Sequence, residues 1–187
     1  ARPTALLSAS LTLALGIWAL VSFDGCSSCW SRFEGMDLQL TLAPALSKVM
    51  LLLTILVTFA TVLGTNPPQG GEASWYNSAL LISAGATGAF LSDNIISFFA
   101  FHELALIPTF VMIGLYGRGD RRTTAWRATL YLGLASMVLL AALLMIGTQA
   151  GFTFSGLKDF MASGRELAHA ELIGALLIAG FGTLISL

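Results

Sequence analysis

From Asn94 to Gly117 the chain is apolar except for a few small polar residues, one histidine, His102, and one carboxylate, Glu103. If helical, a run of that length crosses a bilayer, since each residue adds about 1.5 Å and the hydrocarbon layer is about 30 Å thick. A charge held near the middle of such a run is unfavourable, and membrane proteins that keep one generally use it. Pro108 follows five residues after Glu103. It has no N–H to offer the Leu104 carbonyl and its ring crowds that turn, so the helix is predicted to bend or loosen there. A buried acid beside a loosened carbonyl suits a proton or a cation.

The composition agrees. Of 187 residues, 56% are hydrophobic and only 10% charged, against about 25% charged in soluble domains. Mean hydropathy is +0.84. A net charge of −1 and the lack of a basic block give no reason to expect a nucleic-acid partner. The chain opens at Ala1 and stops at Leu187 inside an apolar run, so it is expected to be a piece of a longer polypeptide, or a processed or truncated one.

Six spans are predicted, making an all-α polytopic transmembrane bundle in which residues 1–187 form a single membrane-embedded domain. Thr4 to Phe23 is uncharged, and its apolar part exceeds the about 7–15 residues of a signal peptide, so it is read as an anchor. Asp24 to Leu38 is a polar loop. Val49 to Gly64 is the second span, starting near Pro44. Asn66-Pro67-Pro68-Gln69-Gly70-Gly71 is a break. Trp75 and Tyr76 then fall where an interfacial aromatic belt belongs. Ser78 to Ser92 is a short third span rich in small residues, and Asn94 to Tyr116 is the fourth. Gly117 to Arg127 is a loop, Ala128 to Gly147 the fifth span, Phe152 to Ala170 polar and mixed. Leu172 begins the sixth span.

The Gly117–Arg127 loop holds Arg118, Arg121, Arg122 and Arg127, four of the nine basic residues, and is short. By the positive-inside rule it is expected to face the cytoplasm. Counting spans backwards puts Arg2 and the Asn66–Gly71 turn on the same side. The Cys26–Cys29 and Lys158–Arg165 loops then fall outside.

Each candidate residue has a plain alternative. Glu103 either carries a proton or ion or only pairs with a neighbouring helix. His102 either relays protons or packs, since successive helical residues point about 100° apart. Asp93 and Asn94 are read as N-caps of the fourth helix. Lys48 is read as snorkelling to the headgroups. Cys26 and Cys29 have redox-motif spacing without a supporting fold pattern, so a disulfide or two idle thiols is expected. Ala84 and Gly88 form a small-xxx-small pattern for close helix packing. No phosphate loop, nucleophile elbow, metal-ligand cluster or dinucleotide fingerprint is present.

The stretch from Phe98 through His102-Glu103-Leu104-Ala105-Leu106-Ile107-Pro108-Thr109-Phe110 to Ile113-Gly114-Leu115-Tyr116-Gly117 resembles the antiporter-like subunit M, or chain 4, of proton-pumping NADH:quinone oxidoreductase, respiratory complex I. The family carries an aromatic-rich helix with this Glu, then Ile-Pro, an aromatic and Ile-Gly-x-x-Gly. Arg122 to Met137 resembles its next helix, with Arg127 at a commonly basic position and Leu130-Tyr131 in register. The resemblance is weaker over Thr4–Phe23, Leu38–Gly64 and Leu172–Leu187. There are two departures. In the family's seventh helix a lysine partners the Glu, and here that register holds Leu184; Ala43-Pro44 stands where an Asp-Gly pair is usual.

The resemblance implies the front part of a proton-translocating subunit, with Glu103 as proton carrier, His102 as possible relay and no redox centre in this chain. NADH, flavin, iron–sulfur clusters and quinone would lie in partner subunits. The partners would be the other membrane subunits of complex I and the lipid bilayer, and the location the cell's inner, or plasma, membrane. The alternatives are a subunit of a cation/proton antiporter or membrane-bound hydrogenase, and an inactive assembly subunit or fragment.

Overall fold

The computed structural model describes residues 2–22, 45–67 and 70–185. Among them all regular structure is helical: α1 (Arg2–Ser22), α2 (Ala45–Gly64), α3 (Glu72–Leu91), α4 (Ile95–Tyr116), α5 (Arg121–Ala150), α6 (Phe154–Ala162) and α7 (Ala170–Leu184). Helices α1, α2, α4 and α5 are each long and apolar enough to cross a membrane. The 20-residue α3 lies between α2 and α4, and the apolar 15-residue α7 packs on α5. The expected all-α polytopic bundle is therefore the observed architecture.

Polar contacts show which turns share an end. The Arg2 guanidinium donates to Asn66 Oδ1 and to the Leu63 carbonyl, both at 3.2 Å. The Tyr116 hydroxyl donates to the Gly71 carbonyl at 2.8 Å. The start of α1, the α2–α3 turn and the α4–α5 turn thus meet at one end, as the span count requires. At the opposite end the α3–α4 turn meets the α5–α6 turn, where Asn94 and Thr153 form an isolated antiparallel bridge.

Lipid offers no hydrophobic drive for one apolar helix to seek another, so close packing carries the association. Small residues provide it. Ala5 and Ala9 of α1 are buried against Val62, Trp75 and Tyr76. On α3 the buried small residues facing α4 are Gly85 and Gly88, whereas Ala84, expected with Gly88 on a close-packing surface, is exposed. A Cβ on Gly85 would lie 2.8 Å from the Phe101 carbonyl oxygen and 2.9 Å from the Ala105 nitrogen. A second apolar cluster joins Ile95, Leu139, Leu143, Ile146 and Ile173, tying α4, α5 and α7 together. There a Cβ on Gly180 would lie 3.0 Å from Leu139 backbone.

Three boundaries differ from the sequence reading. Helix α3 starts at Glu72, so Trp75 and Tyr76 belong to its first turns and are buried rather than on an aromatic belt; Tyr76 is 1% exposed. Gly70, at φ 85°, precedes the Trp75 N–H to Gly71 carbonyl bond that opens the helix. Helix α5 starts at Arg121, so three of the four loop arginines are helical. Gly119 turns the chain at φ 71° and Asp120 Oδ1 accepts the Thr123 N–H at 3.3 Å, an N-cap hidden among charges. Within the stretch read as polar and mixed lies α6, a short amphipathic helix capped by Thr153, whose Oγ1 accepts the Gly156 N–H at 3.1 Å.

Gly85→Ala should force α3 and α4 apart, because the atoms in the way are backbone. The expected loss is about 1–3 kcal/mol, read as a lower thermal midpoint of the full-length protein in detergent. Gly174→Ala, which has nothing within 4 Å of its Cβ position, is the control. Equal midpoints for the two variants would show that Gly85 does not set the spacing.

Candidate functional site

Helix α4 begins where Asn94 Oδ1 accepts the N–H groups of Ile96 at 2.8 Å and Ser97 at 3.4 Å. Asn94 is thus the predicted cap. Asp93 is not: its carboxylate turns away and accepts the N–H and hydroxyl of Ser155. Beyond the cap, Phe101 and Ala105 lie against α3 through the two glycines. Each helical residue rotates about 100°, so Glu103, two residues from either contact, is carried to the far side of α4, towards α5. The packing of α3 therefore aims the acid.

Glu103 and His102 come together. His102 Nδ1 stands 3.5 Å from Glu103 Oε1, with the side chains 23% and 32% exposed. Both atoms are buried, and neither has a hydrogen-bond partner among the described residues. The separation exceeds that of a good N–H···O bond, about 2.7–3.2 Å, so the two groups are neighbours not yet joined. The imidazole stacks on the rings of Phe98 and Phe99, each with its centroid 6.4 Å away. These aromatic residues sit one turn before it.

A cavity of about 180 Å³ opens between α4 and α5 at Glu103, lined also by Thr109, Phe110 and Thr129. The Thr109 hydroxyl donates to the Ala105 carbonyl at 2.8 Å and the Thr129 hydroxyl to the Ala125 carbonyl at 2.9 Å. Each hydroxyl oxygen keeps lone pairs free to accept. The space suits a few waters, at about 30 Å³ each. Sequence reading passed over both threonines. Their signal was positional: a hydroxyl six residues after the acid, and another in the following apolar run.

Helix α4 stays helical through Pro108, which is buried. The predicted break is therefore confined to the one main-chain bond that proline cannot donate, with no interruption of the helix. Lys48 lies half-buried in the first turn of α2. Leu184, at the register of the family's lysine, packs against the apolar cluster of α5 and α7. Cys26, Cys29, Arg32 and Ala43-Pro44 lie outside the described residues. No three of His, Cys, Asp and Glu gather among the described residues.

These features define a polytopic membrane protein with an acid–imidazole pair inside the bundle. Residues 92–187, more than half of the chain, match the transmembrane family described as NADH:quinone oxidoreductase/Mrp antiporter, and the chain belongs to that family. It is 24% identical to F(420)H(2) dehydrogenase subunit M of Methanosarcina mazei, over 72% of this chain and 29% of that protein. It is 28% identical to NAD(P)H-quinone oxidoreductase chain 4 2 of Microcystis aeruginosa, over 68% of this chain and 24% of that one. With NADH-quinone oxidoreductase subunit M of Rickettsia typhi it shares 27% identity over 76% of this chain and 30% of that protein. The chain thus spans less than a third of these relatives. Its fold is shared with a chain in the structure of the membrane-bound sulfane sulfur reductase, an archaeal respiratory membrane complex. The TM-score is 0.72 at 16% identity, covering 98% of this chain and 38% of that one.

The unjoined pair makes a stability prediction. A buried ion pair that loses one partner destabilises by about 3–5 kcal/mol. Here the described residues give the pair no hydrogen bond to lose, so Glu103→Gln should leave the thermal midpoint of the full-length protein unchanged. A drop of several degrees would mean that Glu103 holds helices together.

Proposed function

We propose that this chain is the front part of a proton-translocating membrane subunit of an NADH:quinone oxidoreductase, with Glu103 as proton carrier and His102 as relay. The observation that carries this reading is the pair itself: two titratable atoms, buried inside the bundle, 3.5 Å apart and without a hydrogen-bond partner among the described residues. A structural acid would be expected to use its hydrogen-bonding capacity. Family membership and the names of the relatives support the setting.

The pair suits proton transfer for an electrostatic reason. Moving one proton from Glu103 Oε1 to His102 Nδ1 converts a neutral acid and neutral imidazole into a carboxylate and imidazolium. Both states have no net charge, so the step avoids placing a lone ion in low dielectric, where desolvation is severe. A side-chain rotation closes the gap. The α4–α5 cavity, lined by Thr109 and Thr129, has room for water as the other exchange partner. Pro108 leaves the Leu104 carbonyl without its helical donor one residue beyond Glu103, a further acceptor near the path. Electron transfer would be the work of partner subunits that hold NADH, flavin, iron–sulfur clusters and quinone. The driving pulse would reach this chain as a movement that alternately joins and parts the pair.

A second reading has one observation in its favour. Leu184 is core packing, so no lysine at that register answers Glu103, which suits an inactive assembly subunit. The two readings separate in proton translocation by vesicles given NADH, normalised to assembled complex. Glu103→Gln keeps shape and hydrogen-bonding capacity but cannot carry a proton. It should abolish most pumping, whereas Glu103→Asp should keep part of it. Wild-type pumping by the Gln variant would end the carrier role.

The arginine end should face the cytoplasm of the plasma membrane. Among the described residues Arg2, Arg118, Arg121, Arg122 and Arg127 gather there. A single cysteine at Arg118 should resist a membrane-impermeant thiol reagent in intact cells, while one at Ser163 should react. The reverse pattern would invert the orientation.

A further inference from the structure

The end of the bundle opposite the arginines holds a contact chain that the proton path does not use. Asp93 Oδ1 accepts the Ser155 N–H at 3.3 Å, and its Oδ2 accepts the Ser155 hydroxyl at 2.9 Å. The Asp93 carbonyl accepts the Phe154 N–H at 2.8 Å, and the Phe152 carbonyl accepts the Ile95 N–H at 2.8 Å. Four bonds thus lock the α3–α4 turn to the α5–α6 turn. The lock seats Phe154, the first residue of α6, with its ring edge-on to Phe98, centroids 5.9 Å apart at 85°. Phe98 in turn stacks on His102 at 26°. From there it is one step to Glu103.

We propose that Asp93, Ser155 and Phe154 are positioning residues for His102. The Asp93–Ser155 clamp holds Phe154 against Phe98, which leaves Phe98 one rotamer, and Phe98 keeps the imidazole plane set with Nδ1 towards Glu103. Staggered χ1 wells are the alternatives open to an aromatic side chain on a helix, and a neighbouring ring removes those it would clash with. Without Phe154, Phe98 regains a second well and His102 loses support on one face. Phe99 alone then holds it. The clamp bonds are charge-assisted, hence about twice as strong as neutral ones. The device ties the outer turn, and through α6 the start of α7, to the spacing of the pair. This inference rests on the proton-pair reading only for its functional consequence; the contact chain stands on geometry.

The test uses the full-length subunit in its assembled complex in native membranes. Diethyl pyrocarbonate acylates neutral imidazole, and mass spectrometry of the peptides reports His102 and the exposed His169 separately. Phe154→Ala should raise the rate at His102 several-fold while His169 stays unchanged. Phe154→Tyr keeps an aromatic edge and should restore the wild-type rate. Ser155→Ala removes only a hydroxyl and should give an intermediate rise, so a folding failure of the alanine variant at 154 would not shield the idea. The number of protons moved per NADH should fall in the same order as the His102 rate rises. An unchanged His102 rate in both Phe154→Ala and Ser155→Ala overturns the positioning role. A raised rate with unchanged proton yield supports the positioning role and removes His102 from the proton path, which separates this proposal from the one beneath it.

Discussion

The structure depends on how closely α3 approaches α4. Gly85 and Gly88 leave no side chain between the helices, so Phe101 and Ala105 lie directly on the α3 backbone. That contact sets the rotation of α4 about its own axis. Once the face bearing residues 101 and 105 is committed to α3, geometry sends residue 103 towards α5. The cavity, the two threonine hydroxyls and the exposure of the acid all follow from this rotation. A side chain at Gly85 would not touch Glu103, yet it would turn the helix that carries it.

The site combines two features that oppose each other in a membrane. The facing atoms, one carboxyl oxygen and one ring nitrogen, are buried where an isolated charge is unfavourable, yet they make no hydrogen bond among the described residues. Packing resolves the conflict: Phe98 and Phe99 restrain the imidazole plane, and the Glu103 side chain reaches into a space it shares with two hydroxyls. Such a site is held open by its neighbours.

The ends of the bundle differ in kind. At the arginine end Arg2, Tyr116 and Arg121 donate to main-chain or amide oxygens. At the other end two turns are knitted by a carboxylate and by main-chain bonds, and the amphipathic α6 follows at once. The chain spans less than a third of its curated relatives.

Several features were legible in the residues. Hydropathy marked the spans, because a lipid-crossing helix needs a long run without charge. The solitary acid in one of them singled out Glu103, because burial without a partner is rarely tolerated without use. The Ile-Pro-x-Phe segment after it pointed to the family. Asn94 announced the α4 cap, since its amide oxygen can reach the first free N–H groups. Other features were not legible. Trp75 and Tyr76 look interfacial by composition, yet burial depends on what α1 and α2 place against them. Ala84 and Gly85 are alike in size, and only the phase of α3 against α4 decides which is covered. Asp93 and Asn94 are both good caps, but the arrival of Ser155, 62 residues away in sequence, takes Asp93 for another task. His102 and Glu103 should diverge as helical neighbours, yet Nδ1 stands 3.5 Å from Oε1, with two phenylalanine rings stacked one turn back. The sequence by itself determined which segments enter the membrane and which residue carries the acid, because both follow from local polarity. Tertiary structure alone decided what that acid faces, because direction on a helix has no meaning until a second helix is packed against it.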